Sequence, residues 1–459
     1  MAIPANSLAK PGDLPSKDSV TKLYDEMDLQ QATQAYLWAL PFVSFAQWQD
    51  AHENVFGARS GDLVLYQSYE DKLGILTANA TTPYIIAFIN LSKTGPMVLE
   101  MPAGHIAGGL ADFWQREMGV MGEMGPDQGK GAKYLIVPPG NAAQDSAGYL
   151  IVQATTMNIF IGFRTLDPNP EQAMALIRQV KAYPYSQREK PPVTLLITPD
   201  GKKWYGGQPS GMAYWQRLHA IYKNEPVEER DRFFAAWLET LGLGKGKTFR
   251  PDQRQQKILE SAAQLGESMS KVNSFAKRFP HLLHWPDKRW EYVVAMDDPS
   301  QRLGDIYQFA ERTAWFYEAV TFSKAMVSQN PGLGQAYLAE YSDKDGNWFD
   351  GAKSYTIRIP SDPPAKNFWS LTVYDSKTRC LIDNPQRKAD LSSRQALDKN
   401  ADGSVNLYFA PSAPAGHEKN WVQTVANRHW FAYVRLYGPT DSYFDKSWKM
   451  DDIQIAVAK

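Results

Sequence analysis

Two small sets of polar residues interrupt segments that are otherwise apolar and β-like, and they are the best candidates for chemistry in this chain. The first set is Asn79, Thr82, Tyr84, Asp112, Trp114 and Arg164. The second is Asp350, Tyr355, Tyr374, Arg379, Asn384, Arg435 and Tyr437. A carboxylate, an arginine and tyrosines converging at the mouth of a sandwich can orient a small polar substrate. In that arrangement Asp112 is the expected general base, Arg164 stabilises a developing anion and Tyr84 completes the catalytic set. Asn79, Thr82, Trp114, Tyr355, Tyr374, Arg379 and Arg435 are then expected to hold the substrate. The competing reading is structural, because Asp–Arg pairs and tyrosine hydroxyls tie strands and corners together in many sandwiches, and it is the favoured one.

Other chemistries have less support. Asp398, Asn400 and Asp402, with Gly403 and Asn406, place oxygen ligands as in the first part of a calcium loop, but the closing position is Phe409 rather than a bidentate Glu. A polar hairpin turn feeding SVNLYFA is the preferred account, with calcium as the alternative. His281 and His284 lie three apart between Pro280 and Pro286 and lack a third zinc ligand at the usual spacing. Cys380 reads as a buried small hydrophobe. There is no Gly-x-Ser-x-Gly elbow, and the glycine-rich LGLGKGK near 242–248 lacks both phosphate-loop spacing and a preceding strand. No organic cofactor is expected.

The elements that must position these residues are legible in outline. Residues 1–24 read as an extended arm. From Asp25 a helical pattern runs through Leu29, Ala32, Ala35, Tyr36 and Leu40, and Pro41 is expected to end or kink it. Short β-branched or aromatic runs between turn residues then predict a first β domain, with one helix at NPEQAMALIRQV, so that helix and sandwich together occupy 25–205. Residues 206–335 read as a helical connection. Its stripes are expected at Ile258, Ala262, Leu265, Met269, Val272 and Phe275, and at Leu303, Ile306, Ala310, Ala314 and Tyr317. From 336 to 459 strands return. In FWSLTVYD, Trp369, Leu371 and Val373 share a face; in WFAYVRLYG, Trp430, Ala432, Val434 and Leu436 do. That period of two predicts an antiparallel sandwich with one dry face per sheet.

At 459 residues two domains are the first expectation. The 49 basic residues are scattered and the net charge is −1, so the basic stripe that nucleic acid requires is missing. No apolar run is long enough to insert in a membrane. Aromatics at 12%, including 14 Trp, suit sheet faces, interfaces or a pocket. The opening MAIPANSLAKPGDLPSKD has no apolar signal core. A cytoplasmic chain, or one whose leader was removed, is the expectation.

The stretches FWSLTVYDSKTRCLIDNPQRKADLSS, DGSVNLYFAPSAPAGHEKNWVQT and RLYGPTDSYFDKSW resemble the domain-of-unknown-function family numbered 1214. NATTPYIIAFINLSKTGPMVLEMPAG, DFW, KYLIVPPG and GFRT resemble the companion family numbered 1254. The usual Asn-Arg-Asp-Thr-x-Tyr core of the latter stands here as Asn79-Ala80-Thr81-Thr82-Pro83-Tyr84, without its acidic and basic residues. The resemblance implies a mainly β fold with α-helical insertions: two jelly-roll-like antiparallel β-sandwich domains linked and flanked by helices. It also implies a homo-oligomer and, from the export signals of bacterial members, a periplasmic address. Two functions stay open: a cofactor-independent enzyme of hydrolase or lyase type acting on a small polar or aromatic molecule, and a non-catalytic ligand-binding or structural protein of the cell envelope.

Overall fold

The computed structural model describes residues 12–142, 147–167, 169–327 and 329–456. Its first helix, Lys17–Asp50, starts eight residues before the expected Asp25, capped by Ser16, whose hydroxyl accepts from the Ser19 amide at 3.1 Å. Only the part of the expected arm before Lys17 is non-helical within the described residues; residues 1–11 lie outside them. Pro41 does not end the helix. Ala32, Ala35–Ala46 and Trp48 are buried on every side, and this packing overrides the lost backbone donor. The Pro41 carbonyl accepts from Gln115 Nε2 at 2.8 Å. A single π-helical stretch, Ala51–Phe56, follows.

The first sandwich pairs a six-stranded sheet with a four-stranded one. The large sheet runs, in spatial order, Leu196–Ile197, Leu63–Tyr66, Tyr84–Asn90, Asn158–Thr165, Ile106–Asp112 and Glu117–Gly122. The small sheet runs Leu150–Gln153, Ala132–Val137, Met97–Met101 and Lys181–Pro184. All pairs are antiparallel except those joining Leu63–Tyr66 to Leu196–Ile197 and Ala132–Val137 to Leu150–Gln153. Leu65, Ile85, Ile89, Leu99, Ile136 and Ile161 fill the space between the sheets. Alternate residues of the large sheet, Tyr66, Phe88 and Phe160, face the first helix instead, where Phe45 stacks on Phe160 at 4.8 Å. The large sheet is therefore the middle of three layers.

Helices Met212–Tyr222, Arg232–Thr240, Gln253–Phe275 and Phe309–Glu318 surround the first helix. Two expected stripes are corrected. In Gln253–Phe275 the buried side is Leu259, Ala262, Ala263, Gly266, Ser270 and Ser274, while Leu265, Met269 and Val272 are exposed. Small residues let this helix lie close to the first: a Cβ on Gly266 would stand 2.5 Å from the Tyr36 ring. Leu303 and Ile306 are not helical at all. Arg302–Leu303 pairs with Ile306–Tyr307 across a Gly304-Asp305 turn, and both apolar side chains point to solvent.

The second sandwich has the core that the alternation predicts. One sheet runs Glu291–Tyr292, Gln335–Glu340, His429–Pro439, Ala365–Asp375 and Asp390–Ser392, with Phe349–Asp350 also beside His429–Pro439. The other runs Trp421–Gln423, Val405–Ala410, Tyr355–Ile359 and Gln454–Ile455. Trp369, Leu371, Val373, Trp430 and Val434 meet Tyr355, Ile357, Leu407 and Phe409 between them. The opposite face was expected to be wet and is not: Ser370, Thr372, Tyr374, Tyr433 and Arg435 are all buried. They are covered by the first domain and the helices, and there the candidate site lies.

Candidate functional site

Strand register builds the floor of this seam. Arg435 stands opposite Tyr337 on one neighbouring strand and Ser370 on the other, and Ser370 opposite Ser392. One row along, Tyr433 pairs with Thr372, which pairs with Asp390. A period of two thus sets one polar face against the segment that leads into strand Tyr84–Asn90. Arg435 is 3% exposed and has no carboxylate partner among the described residues. Its guanidinium donates to the Thr77 carbonyl at 2.7 Å, to Thr372 Oγ1 at 3.3 Å and to the Tyr374 hydroxyl. Tyr374 in turn donates to the Ala78 carbonyl at 2.8 Å. The rings of Tyr337, Tyr374 and Tyr433 surround the guanidinium with centroids 5.2–5.6 Å away.

The first domain supplies the roof. Asn79 organises its loop: Oδ1 accepts from the Thr81 amide at 2.6 Å, Nδ2 reaches Thr82 Oγ1 at 2.5 Å, and its amide donates to the Tyr84 hydroxyl at 2.9 Å. Arg164 lies over the Tyr84 ring at 5.3 Å and reaches Thr82 Oγ1 only at 3.4 Å. Lys72 is buried and donates to the Ala80 carbonyl at 3.1 Å. Burial lowers its pKa to about 8 against the pull of Asp390. Asp390 accepts from Thr81 Oγ1 at 3.0 Å, and burial pushes its carboxyl upward.

Two hydroxyls here have no hydrogen-bond partner among the described residues: Ser370 Oγ and Tyr437 OH, both buried. The Tyr437 ring stacks on Phe368 at 3.9 Å, and its hydroxyl lies in the fields of Arg435, Tyr84, Arg164 and Tyr337. Arg164, Thr82, Tyr84 and Tyr337 are half-buried, so the seam reaches solvent at their end. Three cations, Lys72, Arg164 and Arg435, stand in this group against two carboxylates, Asp390 and Asp71, both of which act on Lys72. The arrangement can receive negative charge and offers two idle hydroxyls beside it.

Seven of the polar residues picked from sequence therefore converge: Asn79, Thr82, Tyr84, Arg164, Tyr374, Arg435 and Tyr437. Others lie elsewhere. Asp112 does not meet Arg164. In the strand pair it stands opposite Ile159, whereas Arg164 stands opposite Ala107, five residues away, or ~17 Å along the strand. The Asp112 carboxylate is already occupied by the Arg116 amide at 2.9 Å, Arg116 Nε at 2.6 Å and Thr155 Oγ1 at 2.7 Å, with Glu228 gripping the far side of Arg116. A carboxylate 1% exposed and held by three donors is an anchor, and the Asp112–Arg164 pairing is corrected accordingly. Trp114 is walled in by Trp38 and Phe42 at 4.7 and 4.6 Å. Tyr355 lies inside the second sandwich, where its hydroxyl accepts from the Asp350 amide at 3.1 Å. Arg379 sits on the other side of Thr77, bonded to Tyr205 and Gln208.

In the 398–406 loop, Asp398 is paired with Lys419 at 2.9 Å and Asp402 with Arg358, while Asn400 closes the turn by donating its amide to the Ser404 carbonyl at 2.8 Å. No group of three or more His, Cys, Asp or Glu residues placed to hold a metal occurs among the described residues. His284 is lowered to about 4 by burial, with Tyr292 at 2.7 Å, and burial raises the Cys380 thiol to about 12.

Lys72, Tyr337, Ser370, Thr372 and Asp390 were missed. The signal for Ser370 and Thr372 was available: they share a face with Tyr374, and a polar face in so aromatic a chain warranted a search for its cover.

Two family models match the chain, one described as a protein of unknown function (DUF1254) over residues 63–187, the other as a protein of unknown function (DUF1214) over residues 334–441. The first half of the chain carries a DUF1254 region and the second half a DUF1214 region. Lys72, Asn79, Thr82, Tyr84 and Arg164 fall within the DUF1254 match, and Tyr337, Ser370, Tyr374, Asp390, Arg435 and Tyr437 within the DUF1214 match. The seam is thus the place where the two units meet. No curated protein matches the chain. Among solved structures, the VPA0106 protein of Vibrio parahaemolyticus shares 15% identity, covers 94% of this chain and 100% of its own, and superposes with a TM-score of 0.56, which shows a common fold. An uncharacterised protein of Burkholderia cenocepacia, 13% identical and covering 96% of each chain, superposes with a TM-score of 0.41.

Proposed function

We propose that this DUF1254–DUF1214 chain binds a small organic anion, bearing a carboxylate or phosphate group, in the seam between its two sandwiches. The observation that carries the reading is the charge imbalance there: Lys72, Arg164 and Arg435 against Asp390 and Asp71, with Arg435 held only by neutral acceptors and Ser370 Oγ and Tyr437 OH idle beside it. Buried charge is costly unless paired, and a ligand anion supplies the missing partner. The Tyr84 and Tyr337 rings suit a planar or apolar body behind the charged group. Periplasmic address and homo-oligomeric assembly accompany this reading as expectations. Cell fractionation and light scattering test them. No helix of the described residues is long and apolar enough to cross a membrane.

A second reading, lyase-like proton transfer, is favoured by Lys72 alone. An amine lowered to about 8 can be neutral in a useful fraction near neutrality and can take a proton from the carbon beside a bound carboxylate.

Calorimetric titration with aliphatic and aromatic carboxylates and phosphate esters tests the first reading. Arg164→Gln and Tyr437→Phe are the variants of choice, because neither residue staples the domains as Arg435 does. Losing one charge-assisted contact of about 1.4 kcal/mol weakens binding about tenfold. If no anion in the panel binds, or both variants bind as the parent does, the seam is a structural interface. Turnover of a bound carboxylate, lost in Lys72→Met with binding retained, would establish the second reading.

A further inference from the structure

Away from the seam, a cavity of about 270 Å³ opens where three stretches of chain converge. Arg116 comes from the turn before Glu117–Gly122, Glu228 to Arg230 precede the helix Arg232–Thr240, and Arg302 and Tyr307 belong to the short hairpin. Arg116 is bonded to Asp112, which stands ~17 Å along the sheet from Arg164, so this cavity and the seam are separate. The hairpin is held in place from below. The Gln308 amide closes its base on the Gln301 carbonyl at 3.1 Å, and the buried Gln301 side chain donates to the Trp114 carbonyl at 2.9 Å and accepts from Arg312 Nε at 2.8 Å.

The three arginines are not equally engaged. Arg116 is gripped by Asp112 and Glu228. Arg230, 10% exposed, offers Nε to Asp231 at 3.3 Å and approaches Glu228 at 3.7 Å, but its two terminal nitrogens make no hydrogen bond among the described residues. Arg302 is exposed and has no carboxylate partner among them. It stands opposite Tyr307 in the hairpin, and the Tyr307 ring has the guanidiniums of Arg302 and Arg230 each at 5.5 Å. The Tyr307 hydroxyl has no partner among the described residues either. The carboxylates are committed: Glu228 to Arg116 and Arg230, Glu229 to Arg232 at 3.0 Å, and Asp298, just behind, to Ser300. Arg312, wholly buried beneath, is held below the usual arginine range by burial and by the fields of Arg230 and Arg116 against the pull of Asp231, so this corner is electropositive.

We propose that this cavity binds the phosphate monoester of a small hydroxylated compound. Arg302, the terminal nitrogens of Arg230 and the Tyr307 hydroxyl meet from different directions, which suits the three free oxygens of a phosphate better than the two of a carboxylate. Tyr307 supplies the only apolar surface on a lining otherwise made of Arg, Glu and Ser, so the body of the ligand is polar, with Glu229 accepting from one of its hydroxyls. The inference does not depend on the seam binding anything.

Diffraction from crystals soaked in glycerol phosphate tests the location, and calorimetric titration with glycerol phosphate and with glycerol tests the chemistry. Density for the phosphate between Arg302 and Arg230 is expected, with heat from the ester and none from glycerol. Arg302→Gln, at an exposed position, should weaken binding about tenfold, and Tyr307→Phe, which keeps the ring, roughly threefold. Arg164→Gln in the seam should leave the density in this cavity unchanged. Density in the seam alone, an empty cavity, glycerol binding as tightly as its phosphate, or parental affinity in both Arg302→Gln and Tyr307→Phe overturns the proposal.

Discussion

Asp112→Asn separates an anchor from a catalytic base. In the folded chain Asp112 accepts three hydrogen bonds while 1% exposed, two of them on Oδ2, from Arg116 Nε at 2.6 Å and Thr155 Oγ1 at 2.7 Å. An asparagine that keeps its oxygen toward the Arg116 amide turns an NH2 toward both. The Thr155 hydroxyl can rotate and accept from it; Arg116 Nε cannot. One charge-assisted hydrogen bond is lost, worth about 1.5–3 kcal/mol, and two donors are left facing each other. Removing one member of a buried ion pair costs about 3–5 kcal/mol when the other is stranded, but Arg116 keeps Glu228 at 3.0 Å, so the lower range applies. The expected loss is about 2–3 kcal/mol of unfolding free energy, read as a lower urea midpoint at unchanged slope. Anion binding in the seam, ~17 Å from Asp112 along the sheet, should be unaffected. A loss under about 0.5 kcal/mol, or loss of binding without loss of stability, would refute the anchor role.

Three further outcomes follow from packing and charge. Gly266→Ala gains up to about 1 kcal/mol of helix propensity but drives a methyl into Tyr36, an overpacking cost of about 1–3 kcal/mol, so denaturant unfolding should show net destabilisation; a stabilised variant would mean the two helices part easily. His52 Nε2 is hydrogen-bonded to the Tyr66 hydroxyl at 2.8 Å, the same hydroxyl that accepts the Trp48 indole N–H, and burial lowers the imidazole pKa to about 3. Below pH about 6.5 the unfolded chain takes up a proton that the folded one refuses, so the parent loses stability relative to His52→Gln by about 1.4 kcal/mol per pH unit down towards pH 3; parallel profiles would contradict this. Anion affinity in the seam should hold level below pH about 8 and weaken above it as Lys72, which faces Asp390, Arg164, Asp71 and the Tyr84 ring, gives up its proton. A dissociation constant unchanged through pH 9.5 would remove Lys72 from the site.

Legibility from sequence followed the size of the side chains. Large residues in strict alternation, Trp369, Leu371 and Val373 or Trp430, Ala432 and Val434, marked the second core correctly. In Gln253–Phe275 the same habit of following bulk chose Leu265, Met269 and Val272, because the packed side is made of Ala, Gly and Ser. Polar residues inside apolar strands led to most of the seam, since burying such a residue demands a reason. What failed was distance. Asp112 and Arg164 share a sheet, but only the register reveals that they sit near opposite ends of it. Lys72 precedes a loop and Asp390 sits on a three-residue strand, where neither periodicity nor a motif marks a position.

The first helix has a consequence for how the chain is made. Its Trp38 indole is bonded to Asp231, and the Trp38 carbonyl accepts from Arg312, 274 residues further on. At about 5–20 residues per second, a ribosome that has finished this helix needs roughly 15–55 s more to deliver that partner. During that interval the sheet carrying Tyr66, Phe88 and Phe160 can cover one side of the helix, but the side that meets Phe309–Glu318 stays open. The nascent chain is therefore a client for chaperones from its first minute, and a message truncated before Arg312 yields a product destined for aggregation or proteolysis rather than a smaller working domain.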